Sequence, residues 1–315
     1  MVLQPPDLTS LCRALADANA RREKISRIDL RAFRRVLEHH PEDMTVTVET
    51  GLTLSELQES LARHRQWLPL DPPGADCLTI ADLILYNASG PRRCGYGPIR
   101  DYVLGLRAVL ADGRLVYSGG KVVKNVAGYD LAKLFIGSRG TLGPVVEVTL
   151  KLRPLPEMEE FLSTRFANLD AAAVFLDWLE TTALSPVVLD LHNVFGPPNP
   201  SPIECELVLG FAGTREEVAW QIEEIRALGS LAKCPLDHER RFWESPPTPY
   251  RVSVLPSDLI GTLRNLGPVS FVARVANGLI FYRGGPEPQK KSTPHPLHSR
   301  IKDAFDPNHI FPAPL

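Results

Sequence analysis

Glycine is distributed so unevenly along this 315-residue chain that its placement limits the possible folds. Residues 1–50 contain none, the first is Gly51, and eleven of the 22 fall between Gly90 and Gly143. Glycine permits positive φ and close backbone approach, so the cluster marks where the chain turns tightly or wraps a ligand. The remaining composition belongs to a globular protein: 44% hydrophobic and 23% charged residues, enough for one large or two ordinary domains. With 35 basic against 37 acidic side chains there is no excess positive charge to neutralise phosphates, which argues against a nucleic-acid partner.

The five cysteines are far apart and form no CxxC pair, which points to a reduced, cytoplasmic chain with no metal site. No apolar stretch reaches the roughly 20 residues of a membrane span, so membrane association is expected only through partners.

Hydrophobic periodicity predicts a helix from Leu8 capped by Asp7, a strand over Thr45–Glu49, and a second helix opened by the Thr53–Glu56 capping box. Val103–Leu110 and Arg114–Ser118 flank Asp112-Gly113 as a hairpin, and Val146–Leu152 alternates as a strand until Pro154 and Pro156. That proline pair is the expected boundary between residues 1–155 and a second unit, 156–290, with a tail over 291–315. The second unit shows strands near 161–166, 187–191, 203–211, 250–255, 268–275 and 279–283, with helices at 170–180 and 214–228. This alternation predicts a ferredoxin-like layer with helices on one face of an antiparallel sheet. Gly284–His298 reads as an exposed loop, and Trp178 and Trp220 as helix-packing residues.

Three segments carry the candidate chemistry: Trp67–Pro73 with Thr79-Ile80 and Asn87–Arg93; Tyr96–Asp101; and Gly119–Leu131 running into Gly137–Gly143. Their small residues suit the presentation of backbone N–H groups to an anion. Neither a GxxxxGK[ST] loop nor a GxGxxG opening a helix is present, so neither a Walker nor a Rossmann nucleotide site is supported. Hairpin turns and helix caps would explain the same residues without a ligand.

Together, Gln66–Pro72, Asn87–Arg93, Tyr96-Gly97 with Arg100-Asp101, Gly119–Leu134, Gly137–Gly143, Phe242-Trp243 and Lys302–Pro307 resemble the FAD-binding domain of the vanillyl-alcohol-oxidase (PCMH) type, in particular the FAD-binding subunits of glycolate oxidases. The resemblance implies an α+β fold, a two-lobed FAD domain with a cap domain over the flavin ring. It also implies a complex with a catalytic flavoprotein subunit and an iron–sulfur subunit, acting on a 2-hydroxy acid. By the same resemblance Thr79, Ile80 and Ala81 fall on a phosphate loop, Asn87, Ser89 and Gly90 along the pyrophosphate and flavin, Tyr96 and Gly97 near the ring, and Gly143, Val145 and Val146 near the adenosine.

The chain departs from that pattern in three places. The glycine-rich loop expected after the first helix is replaced by Asn19–Ile25, a Gly-Gly pair after Thr79-Ile80 is replaced by Ala81-Asp82, and Pro144 follows Gly143. Arg139 stands where catalytic relatives often have Glu. No histidine forms a His-x-His pair, and no catalytic acid or base is assigned. Lys124 and Asn125 are the remaining candidates for an activity-related site. The alternative reading is a non-catalytic structural subunit of the same complex with weakened or lost FAD binding.

Overall fold

A computed structural model describes residues 1–120, 130–194, 203–288 and 296–313; Lys124, Asn125 and the rest of segment 121–129 lie outside the described residues. The first half is built on five antiparallel strands, β1 (Val36–His40), β2 (Thr45–Glu49), β3 (Val103–Val109), β4 (Leu115–Gly119) and β5 (Val145–Lys151), in the order β1-β2-β5-β3-β4. Alternation along β2 and β5 sends Val46, Val48, Val148 and Leu150 into one core, while Thr47 and Thr149 face each other on the opposite side with hydroxyls 2.9 Å apart.

Helix α1 (Leu8–Arg21) starts where the Asp7 carboxylate accepts from the Ser10 amide, and it stops at left-handed Arg22. Beyond it, Arg27-Ile28 pairs in parallel with Val2-Leu3 as a two-stranded bridge. Helix α2 (Leu54–Ala62) has the expected Thr53–Glu56 capping box, with Leu54, Leu57 and Leu61 buried. Helix α3 (Ile80–Tyr86) has a second box of the same kind, Thr79 with Asp82.

The second half is one seven-stranded antiparallel sheet made of β6 (Met158–Phe166), β7 (Val188–His192), β8 (Cys205–Gly213), β9 (Ala232–Lys233), β10 (Tyr250–Ser253), β11 (Ser270–Arg274) and β12 (Leu279–Arg283). Its order is β9-β6-β8-β7-β11-β12-β10. Helices α4 (Leu169–Leu179), α5 (Arg215–Arg226) and α7 (Leu259–Leu266) contribute to the core that covers one face, and the shorter α6 (His238–Trp243) packs with Val272 and Phe281. Trp178 packs beside Phe175 as expected, but Trp220 is 46% exposed, because the apolar stripe of α5 runs through Val218, Ile222 and Ile225 instead.

The C-terminal segment returns to the first half. Helix α8 (Pro296–Phe305) begins inside the stretch that reads as a loop, and its Phe305 meets Phe135 edge-on at 5.8 Å. Lys302 is buried with its ammonium donating to Asp306, at 2.5 Å, and to the carbonyl of Thr141, at 2.7 Å. Ile310 and Phe311 complete a core shared with Leu11, Leu15, Ala81 and Val146.

Candidate functional site

A cleft of about 550 Å³ opens between the 25–31 segment on one wall and α3 with the 139–144 turn on the other, with Gly51 and Phe311 also lining it. Thr79 and Ala81, expected on a phosphate loop, line this cleft together with Pro144; Ile80 is fully buried in the core. The amides that open α3 are all engaged within the protein. Thr79 N donates to Asp82 Oδ2 at 3.0 Å and Asp82 N to Thr79 Oγ1 at 3.2 Å. Ile80 N donates to Leu52 O at 2.9 Å and Ala81 N to Thr50 O at 2.8 Å. The Asp82 carboxylate, which would repel a phosphate if it faced one, is folded back onto Thr79. This turn therefore supplies no amide nest.

The 137–144 turn is seated on the other end of α3. Gly137 N donates to Ile84 O and Arg139 N to Leu85 O, each at 2.9 Å, while Asn87 takes a left-handed φ of 47° to close the helix. Two buried polar atoms on these segments have no protein partner, Asn87 Oδ1 and Ser138 Oγ, and neither residue lines the cleft itself. An unsatisfied buried acceptor or hydroxyl costs about 1–3 kcal/mol, which the polar edge of a ligand could remove. Gly143, with φ 138°, is required by packing: a Cβ there would sit 2.4 Å from the Val109 carbonyl oxygen. Pro144 contributes no N–H, and its carbonyl accepts from Val109 N at 3.0 Å. Val145 and Val146 are buried in β5 and do not line the cleft.

Ser89 and Gly90 lie at the junction with the second half. A Cβ on Gly90 would fall 1.8 Å from Asp71 O, so the segment passes too close to the 71 backbone for any other residue. Ser89 Oγ accepts from both Arg93 and Arg274 at 3.2 Å. Arg274, on β11, also holds Glu239 of α6, and Arg92 bridges Asp71, at 3.0 Å, and Glu159, at 2.5 Å. Tyr96 packs edge-on against Trp67 at 5.4 Å, and Gly97, at φ 81°, ends the turn that contains it. Cys94 donates to Pro186 O, and burial pushes its thiol up to about 12, leaving an unreactive small residue.

Behind this junction is a polar cluster that no sequence motif announces. His238 Nε2 lies 2.9 Å from Asp190 Oδ2, and the His192 ring stacks on His238 with centroids 4.8 Å apart. Burial holds His192 well below its ordinary range and raises both Glu239 and Asp71 above theirs. Asp190 Oδ1, His238 Nδ1 and Glu239 Oε2 have no protein partner. Part of it could be found: Val188, Asp190 and His192 share one face of β7, so the strand carries two ionisable groups inward. Among the described residues the one group spaced to hold a metal is exposed His40, Glu42 and Asp43.

Residues 12–119 match the family described as FAD binding domain. The chain is 39% identical over 155 residues to glycolate oxidase subunit GlcD of Bacillus subtilis (strain 168), an alignment covering 49% of this chain and 33% of that protein. It is 33% identical over 152 residues to glycolate oxidase subunit GlcE of Escherichia coli (strain K12), covering 48% and 43%. Over 147 residues it is 40% identical to the mitochondrial D-lactate dehydrogenase [cytochrome] of Arabidopsis thaliana, covering 46% and 25%. The chain thus spans less than half the length of each of these relatives. Among solved structures, an alkyldihydroxyacetonephosphate synthase superposes with a TM-score of 0.73 over 98% of this chain and 75% of that chain at 16% identity, which shows a common α+β fold.

Proposed function

We propose that this chain, which carries a PCMH-type FAD-binding domain, is an FAD-binding subunit of a glycolate or related 2-hydroxy-acid oxidoreductase complex. In this reading it handles reducing equivalents beside a catalytic flavoprotein subunit and an iron–sulfur subunit. The family match over residues 12–119 and the resemblance to two glycolate oxidase subunits support it. The observation that carries it is the pair of buried, unpartnered atoms, Asn87 Oδ1 and Ser138 Oγ, on the segments expected to follow the cofactor.

The residues present fit FAD through a donor set of side chains and loop edges. Thr79, Ala81 and the cleft would take the nucleotide end, Asn87, Ser89 and Gly90 the middle, and Tyr96 and Gly97 the ring, with Ile80, Gly143, Val145 and Val146 supporting the adenosine wall from behind. When bound, FAD supplies reversible hydride and electron acceptance. The protein's own part is positional: the Arg274–Glu239 and Arg92–Asp71–Glu159 pairs pin Asn87–Gly97 against the second half. The division into 1–155, 156–290 and a 291–315 tail belongs to the same reading, as does a cytoplasmic location. Among the described residues no helix is long and apolar enough to cross a membrane, and any attachment would come through partners.

A second reading is favoured by one observation, the closed capping box of α3. If the subunit is a structural partner whose cofactor site has decayed, freeing those amides should restore binding. Co-expression with the two partner subunits and measurement of flavin per subunit separates the readings. A three-subunit complex with flavin on this chain supports the first. An intact complex in which this chain is colourless supports the second, and Ala81→Gly with Asp82→Gly should then raise FAD affinity.

A further inference from the structure

We propose that Arg27 and Arg139 grip the diphosphate of an adenine nucleotide in the cleft, taking over the task that a backbone amide nest performs where glycine loops are present. The inference rests on the FAD reading for the identity of the nucleotide, and on the cleft itself for the chemistry. At about 550 Å³ the cleft is within the ordinary range for a small-molecule site. The amides at the start of α3 are all used internally, so an anion there must be met by side chains.

The cleft's charges are arranged for that role. Its two carboxylates are both engaged: Asp82 with Thr79, and Asp29 with Arg31, whose Nε lies 2.9 Å from Oδ1. The hydrogen bonds from Arg31 hold Asp29 at about 2, so it stays ionised and satisfied. Arg27 and Arg139 both line the cleft, and among the described residues neither guanidinium makes a hydrogen bond, although the charge of Arg27 also acts on Asp29 beside Arg31. They come from opposite walls, Arg27 from the bridge strand and Arg139 from the turn held to α3 at Leu85 O. Arg139 adopts φ 53°, a left-handed conformation unusual for a branched-free long side chain and fixed here by that amide contact. Two planar guanidinium forks on one cleft suit the paired oxygens of a diphosphate better than one carboxylate. Tyr86, 59% exposed on the same cleft, offers an aromatic face to a purine.

The test is titration of ADP into the full chain freed of flavin, by calorimetry at low ionic strength, with riboflavin as the ligand that lacks a diphosphate. Arg27→Gln and Arg139→Gln should each weaken ADP by about tenfold and together abolish measurable binding, whereas Arg139→Lys, which keeps the charge and loses the fork, should fall between the parent and Arg139→Gln. Riboflavin affinity should not change, and ADP binding should weaken as salt is raised. Both side chains are exposed, so thermal melting of the variants should match the parent and exclude misfolding as the cause. ADP bound equally by parent and double variant, or no ADP uptake by the parent at millimolar concentration, would overturn the proposal. A chain that binds ADP through these arginines yet retains no FAD keeps the proposal and removes the flavin-subunit reading. A double variant that still holds one FAD per chain does the reverse.

Discussion

Arg274 shows how much of this protein depends on single buried charges. It is 2% exposed, its guanidinium is held by Glu239, and it reaches across the seam to Ser89. Removing it leaves Glu239 buried without its cation, so Arg274→Met should cost about 3–5 kcal/mol in urea unfolding, and adding Glu239→Leu should recover much of that loss. Glu239 makes a second, pH-dependent prediction. Burial raises its folded-state value above the unfolded one, so its stabilising contribution is complete below about 4.5, the ordinary glutamate value, and is lost as pH rises through the raised value. The parent should therefore lose more melting temperature on going from pH 4.5 to 8 than Glu239→Gln does. Equal losses would show that Glu239 titrates normally in the folded chain. The sequence shows Asp190 and His192 on one strand face but not the whole cluster, because Asp190, His238, Glu239 and Arg274 come from three elements that only the folded sheet brings together.

At the scale of elements, α3 decides what the cleft can offer. Thr79→Ala removes its cap and should lower stability by about 1 kcal/mol, read from the urea midpoint at unchanged slope. The sequence already contained this helix, since Thr79 and Asp82 have the spacing that opens α2 at Thr53–Glu56 and α5 at Thr214–Glu217. Its use of Asp82 as a cap explains why a carboxylate is tolerated on a supposed phosphate loop. Most strands were legible from alternation and proline placement, including β2, β5 and β12, because each has one face in a core. The start of α8 was not: Pro296 follows a Pro- and Lys-rich stretch that masks a helix whose Ile301 and Phe305 pack on the core of the distant first half.

At the scale of the molecule, the chain closes on itself, its last described residues sealing a core laid down by its first helix. Phe311, 4% exposed, packs with Leu11, Leu15 and Val146, and Phe311→Ala should cost about 3–5 kcal/mol, seen as a lower melting temperature. A loss below 1 kcal/mol would mean that the segment is not docked in solution. The same closure contributes Phe311 and Pro312 to the cleft, so fold and site are coupled: α3 with the 139–144 turn builds one wall, and residues 25–31 build the other. The most direct test of the central claim is the visible spectrum and cofactor content of the full chain after incubation with excess FAD and removal of unbound cofactor. We predict flavin absorbance at one FAD per chain, sensitive to salt; a folded, colourless chain that retains none would contradict it.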